Sequence, residues 1–144
     1  PDAALKALCE TPTPETNEAR VFAIDKHFSL GSVDAVAASL EAAAGEDPFA
    51  AEALAAIRTK SPTSLRVAFA QVAAGAALDM EECMRMEFRI LNRMLEGPDF
   101  YEGIRAVVID KDNAPSWRPP GLPDVDAAAV DRYFAPLPGG ELGL

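Results

Sequence analysis

The chain has 144 residues, 49% of them hydrophobic and 25% charged, with 13 basic against 23 acidic side chains and a formal charge of −10. That balance excludes disorder along the whole length, and no apolar run approaches the roughly 18 residues that cross a bilayer. An excess of carboxylates repels phosphate, which excludes nucleic acid as a partner.

Alanine makes up about a fifth of the chain, and strand-favouring runs are short and few, so the sequence predicts an all-α fold. Residues 1–10 read as a weak helix that the Thr11-Pro12-Thr13-Pro14 run breaks, leaving 1–14 as linker or marginal helix. From Glu15 to Phe28, apolar Val21, Ile24 and Phe28 recur at helical spacing and predict a buried face. Gly31-Ser32 ends that segment, and Ser32 caps a helix predicted to reach about Ala44. Asp47-Pro48 opens the next helix with a cap and a first-turn proline, and Ser61-Pro62 repeats the device. The helix behind Ser61 carries Leu65, Ala68, Phe69, Val72 and Ala76 on one predicted core stripe.

Asp79 followed by Glu82 predicts a capping box for a helix that runs to Glu96 and stops at Gly97-Pro98. A further helix from Pro98 to about Ile109 shows Phe100, Ile104, Val107 and Val108 in register, although Val107-Val108-Ile109 also suits extended backbone. Beyond Asn113 the texture changes. Six of the twelve prolines lie there, so residues 113–144 read as a proline-rich arm with one short helix, Asp126 to Phe134, and a tail. Trp117, between proline pairs, is expected to anchor that arm to the helical body.

The search for a catalytic set comes back nearly empty. A nucleophile triad needs a histidine, and the lone His27 reads as a surface or half-buried side chain rather than a base. No metal-ligand cluster, Walker loop or GxGxxG is present. Cys9 and Cys83 lie far apart and form no CxxC pair, so they read as reduced, inert thiols of a cytoplasmic protein rather than a disulfide. No basic start followed by an apolar stretch marks a secretory signal. The chain begins at Pro1 rather than Met, and is expected to be part of a longer polypeptide.

The segment from Met80 to Glu96 carries the most information. Its apolar side chains spread over an arc of roughly 200°, which predicts burial on two sides. Glu87 falls near the middle of that arc, where a carboxylate requires a partner; Arg66 and Arg105 are the candidate cations. An ion pair locking two helices, or a place in a site, are the two readings. Met80, Met84, Met86 and Met94 read as adaptable core or interface filling rather than a ligand face. Arg85, Arg89 and Arg93, flanked by Glu81 and Glu96, predict a solvated, salt-bridged face.

Taken in order, Ser61-Pro62-Thr63-Ser64-Leu65-Arg66, Met86-Glu87-Phe88-Arg89, Phe100-Tyr101-Glu102-Gly103-Ile104-Arg105-Ala106, Ile109-Asp110-Lys111-Asp112 and Pro115-Ser116-Trp117 resemble the C-terminal part of the 3-hydroxyisobutyryl-CoA hydrolase family. Phe28-Ser29 and Tyr133-Phe134 also fit, so the resemblance covers nearly the whole chain from about Glu15. That family lies in the crotonase, or enoyl-CoA hydratase/isomerase, superfamily. The resemblance implies the helical C-terminal region of an acyl-CoA thioester hydrolase of valine catabolism, residues 1–144 being that region. It places every catalytic residue upstream and none in this chain, which alone is expected to be inactive. It implies no cofactor, with coenzyme A only a part of the substrate, and as partners the upstream core and further copies in a homo-oligomer. Lys111 falls close to the position at which the superfamily contacts the phosphates of coenzyme A; a lysine that merely answers a helix dipole is the other reading. An enoyl-CoA hydratase or isomerase fragment, or a helical interaction module without activity, are the alternatives for the function.

Overall fold

A computed structural model describes residues 16–143. Among these residues the secondary structure is helical throughout, without a strand, as expected. The predicted weak helix over residues 1–10, and Cys9 within it, lie outside the described residues.

Helix α1 spans Glu18–Phe28, α2 Val33–Ala43 and α3 Pro48–Arg58, followed by α4 at Pro62–Gly75 and α5 at Met80–Glu96. The caps that begin them are local. Ser32 Oγ accepts from the Ala35 amide at 3.1 Å, Asp47 Oδ1 from the Phe49 amide at 2.9 Å, and Ser61 Oγ from the Ser64 amide at 3.1 Å. Asp79 and Glu82 close the predicted capping box: the Glu82 amide donates to Asp79 Oδ1 at 2.8 Å and the Asp79 amide to Glu82 Oε2 at 3.0 Å. Asn17 caps α1 in the same manner.

Helix α6, Pro98–Ile104, runs directly into a π-helical turn at Arg105–Ile109. This segment therefore stays helical through Ile109, and its extended alternative is not adopted. The arm that follows holds a 3-10 turn, Leu122–Asp124, and α7, Ala127–Phe134. Trp117 anchors it as expected, its indole Nε1 donating to Thr59 O at 3.1 Å.

Two small cores share α4 as their common wall. Val36 and Leu40 of α2 meet Ala50 and Leu54 of α3, with Phe69 of α4 packed beside them. Val67 of α4, Met86 and Ile90 of α5, and Val125 and Val130 around α7 form the second core.

Three predicted faces point elsewhere. On α1, Val21, Ile24 and Phe28 are exposed, whereas His27 is 1% exposed. On α4, Val67 is buried at 1% while Val72, from the expected core stripe, is 76% exposed. On α5 the arc is covered on one side only: Met86 and Ile90 face the core, and Met80, Met84, Leu91 and Leu95 are open. An apolar arc shows that a face avoids water, but which part of it is covered depends on where the neighbouring helices lie. Glu87 falls on the open part. It is exposed and accepts a hydrogen bond from Gln71, with neither Arg66 nor Arg105 as partner. The arginine row on α5 also differs from a solvated face. Arg85 pairs with Glu81 at 3.2 Å as expected, but Arg89 donates to Phe134 O and pairs with Glu141, and Arg93 donates to Arg132 O. These two arginines satisfy the last carbonyls of α7, groups that a helix end leaves without intrahelical partners.

Candidate functional site

The segment that carries the densest set of short motifs, Glu102 to Trp117, forms a polar clasp at the end of α6. Pro98 starts α6 at Gly97, and Asp99 in its first turn reaches two other elements. Asp99 Oδ2 accepts from Ser61 Oγ at 2.5 Å, and Oδ1 accepts from the Arg118 amide at 2.9 Å. One carboxylate thereby ties the start of α4 to the arm. One helical turn further on, Glu102 Oε1 accepts from the Ser116 amide at 2.7 Å. The arm passes close over Gly103, where a β-carbon would meet the Trp117 ring at 3.4 Å, an ordinary contact. Ala106 is fully buried, and its carbonyl accepts from the Asn113 amide at 3.1 Å, folding the chain back on itself.

Arg105 stands at the centre of this clasp. Its Nε and Nη2 donate to the two oxygens of Glu102 at 3.0 and 2.8 Å, a bidentate contact. Its Nη1 donates to Asp110 Oδ2 at 2.6 Å and to Asp112 Oδ2 at 2.7 Å, and Nη2 also donates to Ala114 O at 3.2 Å. The π turn makes this possible, because its wider ring brings the Asp110 amide onto Arg105 O at 2.8 Å and the Asp110 side chain beneath the guanidinium. The hydrogen bonds from Arg105, then from Ser116, hold the Glu102 carboxyl down to about 2. Asp112 is lowered as well, first by the Ala114 amide and then by Arg105, while its own carboxylate partners raise Arg105 far above the usual range. Three carboxylates on one guanidinium make an ion-pair hub, and among the described residues no cluster of acids, histidines or cysteines is arranged to hold a metal.

Lys111 lies between the two aspartates that Arg105 holds. It is exposed, and its backbone is in the left-handed region at φ 57, as is Asn113 at φ 52. A lysine there is strained relative to glycine, since its β-carbon crowds the backbone. Among the described residues no carboxylate lies within ion-pair distance of its amine. The sequence singles out Lys111 but offers Arg105, with Arg66, as a candidate partner of Glu87; the i, i+3 spacing of Glu102 and Arg105 was the signal for its true partner.

A second feature is apolar. Phe28, Leu30, Val33, Ile57, Leu65 and Val72 line an open groove of about 530 Å³ between α1, α2, the end of α3 and α4. It gathers residues from the two faces that were expected to be core.

His27 forms no catalytic set. Its Nδ1 meets Ser39 Oγ at 2.8 Å and its Nε2 lies 3.7 Å from Asp47 Oδ2, which has the composition of a triad. The second contact is too long for a hydrogen bond, the ring is closed to solvent, and Asp47 is engaged in capping α3. This correction of a surface or half-buried histidine has a simple cause: α2 and α3 close over the last turn of α1.

The sequence matches the family described as "Enoyl-CoA hydratase/isomerase" over residues 1–134. The chain is 36% identical over 135 residues to a protein from Gallus gallus named "3-hydroxyisobutyryl-CoA hydrolase, mitochondrial", covering 89% of this chain and 34% of that protein. A protein of the same name from Dictyostelium discoideum is 40% identical over 115 residues, covering 79% of this chain and 30% of its own length. The chain thus spans about a third of the length of these curated relatives. Among solved structures, a carnitinyl-CoA dehydratase from Mycobacterium thermoresistibile superposes with a TM-score of 0.82 at 37% identity, over 96% of this chain and 39% of that one. An enoyl-CoA hydratase from Rhodobacter sphaeroides 2.4.1 superposes with a TM-score of 0.79 at 33% identity, over 99% and 43% respectively. Among the described residues no helix is long and apolar enough to cross a membrane.

Proposed function

The chain belongs to the enoyl-CoA hydratase/isomerase family, and from that premise we propose that it is the C-terminal helical region of an acyl-CoA thioester hydrolase acting on 3-hydroxyisobutyryl-CoA. The observation that carries this reading is the match, over most of the chain, to relatives named for that activity. In it, residues 1–144 form one helical region ending in a proline-rich arm. In this reading the donors that stabilise the oxyanion, and the carboxylates that activate water, belong to the remainder of the parent; among the described residues no side chains are arranged for either task. Water adds to the thioester carbonyl there, the carbon–sulfur bond breaks, and coenzyme A leaves as the thiol.

This region's own part is to cover and to hold. The groove lined by Phe28, Leu65 and Val72, together with the open side of α5, is the apolar surface that meets the parent's core over the acyl pocket. Further copies of the parent form a homo-oligomer around it. Lys111 answers the phosphates of coenzyme A, which is part of the substrate and not a separate cofactor. Its retained strain supports this, because a residue serving only the helix end would be better replaced by glycine. The curated relatives carry "mitochondrial" in their names, which is at odds with the cytoplasmic expectation.

The names of the solved neighbours favour a second reading, an enoyl-CoA hydratase or isomerase. The two are separated by assaying the full-length parent with 3-hydroxyisobutyryl-CoA for thiol release and with an enoyl-CoA for loss of the conjugated double bond. Thiol release from the parent, and none from residues 1–144 alone, is the expected result. Hydration without thiol release establishes the second reading, and neither activity leaves a helical interaction module.

A further inference from the structure

We infer that Arg105 is a positioning residue for coenzyme A binding: by drawing Asp110 and Asp112 onto its guanidinium it keeps Lys111 unpaired and available to a phosphate. The inference rests on the proposed contact between Lys111 and coenzyme A. The sequence poses a difficulty for that contact, because a lysine between two aspartates has two intramolecular anions competing for its charge. The structure resolves the difficulty through geometry. Both aspartates accept from the same Nη1, at 2.6 and 2.7 Å, and Asp112 Oδ1 is further engaged by the Ala114 amide at 2.9 Å.

The π turn and the left-handed residues at 111 and 113 are what put two carboxylates, five and seven residues after Arg105, on one nitrogen. Glu102 fixes the other edge of the guanidinium, so the fork cannot rotate away from the aspartates. Without Arg105, Asp110 and Asp112 lose their donor, and the cation next to both in sequence is Lys111. The lysine would then be paired internally, and the phosphate would meet two uncompensated carboxylates.

The test measures binding of coenzyme A and of pantetheine, which lacks every phosphate, to the full-length parent by calorimetry. Binding rather than turnover keeps it independent of which reaction the parent performs. Lys111→Ala should weaken coenzyme A roughly three- to fivefold, the scale of one exposed charge contact, and leave pantetheine unchanged. Arg105→Ala should do the same. Adding Asp110→Asn and Asp112→Asn to Arg105→Ala should restore coenzyme A binding to within about twofold of the parent, although it restores none of the lost ion pairs. No effect of Lys111→Ala would overturn both the phosphate contact and this inference. An effect of Lys111→Ala with no recovery in the triple variant, or equal weakening of pantetheine by Arg105→Ala, would overturn the inference alone and make Arg105 a scaffold residue. Should Arg105→Ala not fold, Arg105→Lys carries the same comparison, since one ammonium holds a single aspartate: Asp110→Asn added to it should recover the loss, and no recovery overturns the inference.

Discussion

Arg105 and Glu102 meet edge to edge, Nε to Oε2 at 3.0 Å and Nη2 to Oε1 at 2.8 Å, while the same carboxylate accepts the Ser116 amide at 2.7 Å. The pair therefore joins α6 to the start of the arm, and it explains why an acid and an arginine follow one another at this spacing. Between them, Gly103 lies under the Trp117 ring.

The Glu102 carboxyl is held at about 2 against an ordinary value of 4.5, through the Arg105 and Ser116 hydrogen bonds. A folded-state pKa below the unfolded one gives a contribution that is full above the unfolded value and is lost as pH falls toward the folded one. Thermal stability should therefore drop between about pH 4.5 and pH 2, with Asp112 acting in the same direction. Melting curves of Glu102→Gln should be flatter across this window; an equally steep fall would mean that other carboxylates carry the acid sensitivity.

Lys111→Gly should stabilise the fold by about 1 kcal/mol, because glycine accepts the left-handed backbone at φ 57 without crowding. For a chain of this size that corresponds to a rise in Tm of roughly 2–4 °C. Lys111→Ala keeps the β-carbon and should show no such rise. Equal melting temperatures for the two variants would mean that the turn relaxes around a side chain.

At Gly103 the limit is space. A β-carbon would meet the Trp117 ring at 3.4 Å, an ordinary contact, and the residue sits inside α6. Gly103→Ala should then gain helix propensity, about 0.5–1 kcal/mol. Gly103→Leu should displace Trp117 from Thr59 O, seen as a red shift of the sole tryptophan's fluorescence. A destabilised Gly103→Ala would show that the ring cannot yield even a few tenths of an ångström.

Glu87 serves as a control for the register of α5. Exposed and hydrogen-bonded to Gln71, it should cost less than about 1 kcal/mol on change to alanine, the usual scale of a solvent-exposed polar pair. A loss of about 3–5 kcal/mol in chemical denaturation would instead indicate a stranded buried charge and a rotated helix.

The sequence by itself determined the helices, because their ends are written in neighbouring residues. Ser32, Asp47-Pro48, Ser61-Pro62 and the Asp79–Glu82 pair each satisfy amides two or three positions ahead, so no distant contact is needed to read them. The order of short motifs likewise pointed to the acyl-CoA family before any packing was known. The tertiary structure decided which apolar faces are covered. Phe28 and Val72 share their spacing with core residues, yet α2 and α3 close over His27, and α5 and α7 close over Val67, leaving Phe28 and Val72 to line a groove. It also decided the partners of three arginines: Arg66 goes to Asp34 and Leu122 O, and Arg89 and Arg93 to the end of α7. A guanidinium reaches several ångströms in any direction, so its spacing in sequence constrains it weakly. At Arg105 the choice of Asp110 and Asp112 follows from one widened helical turn and two left-handed residues, backbone states that accompany the fold-back of the chain onto Ala106 O.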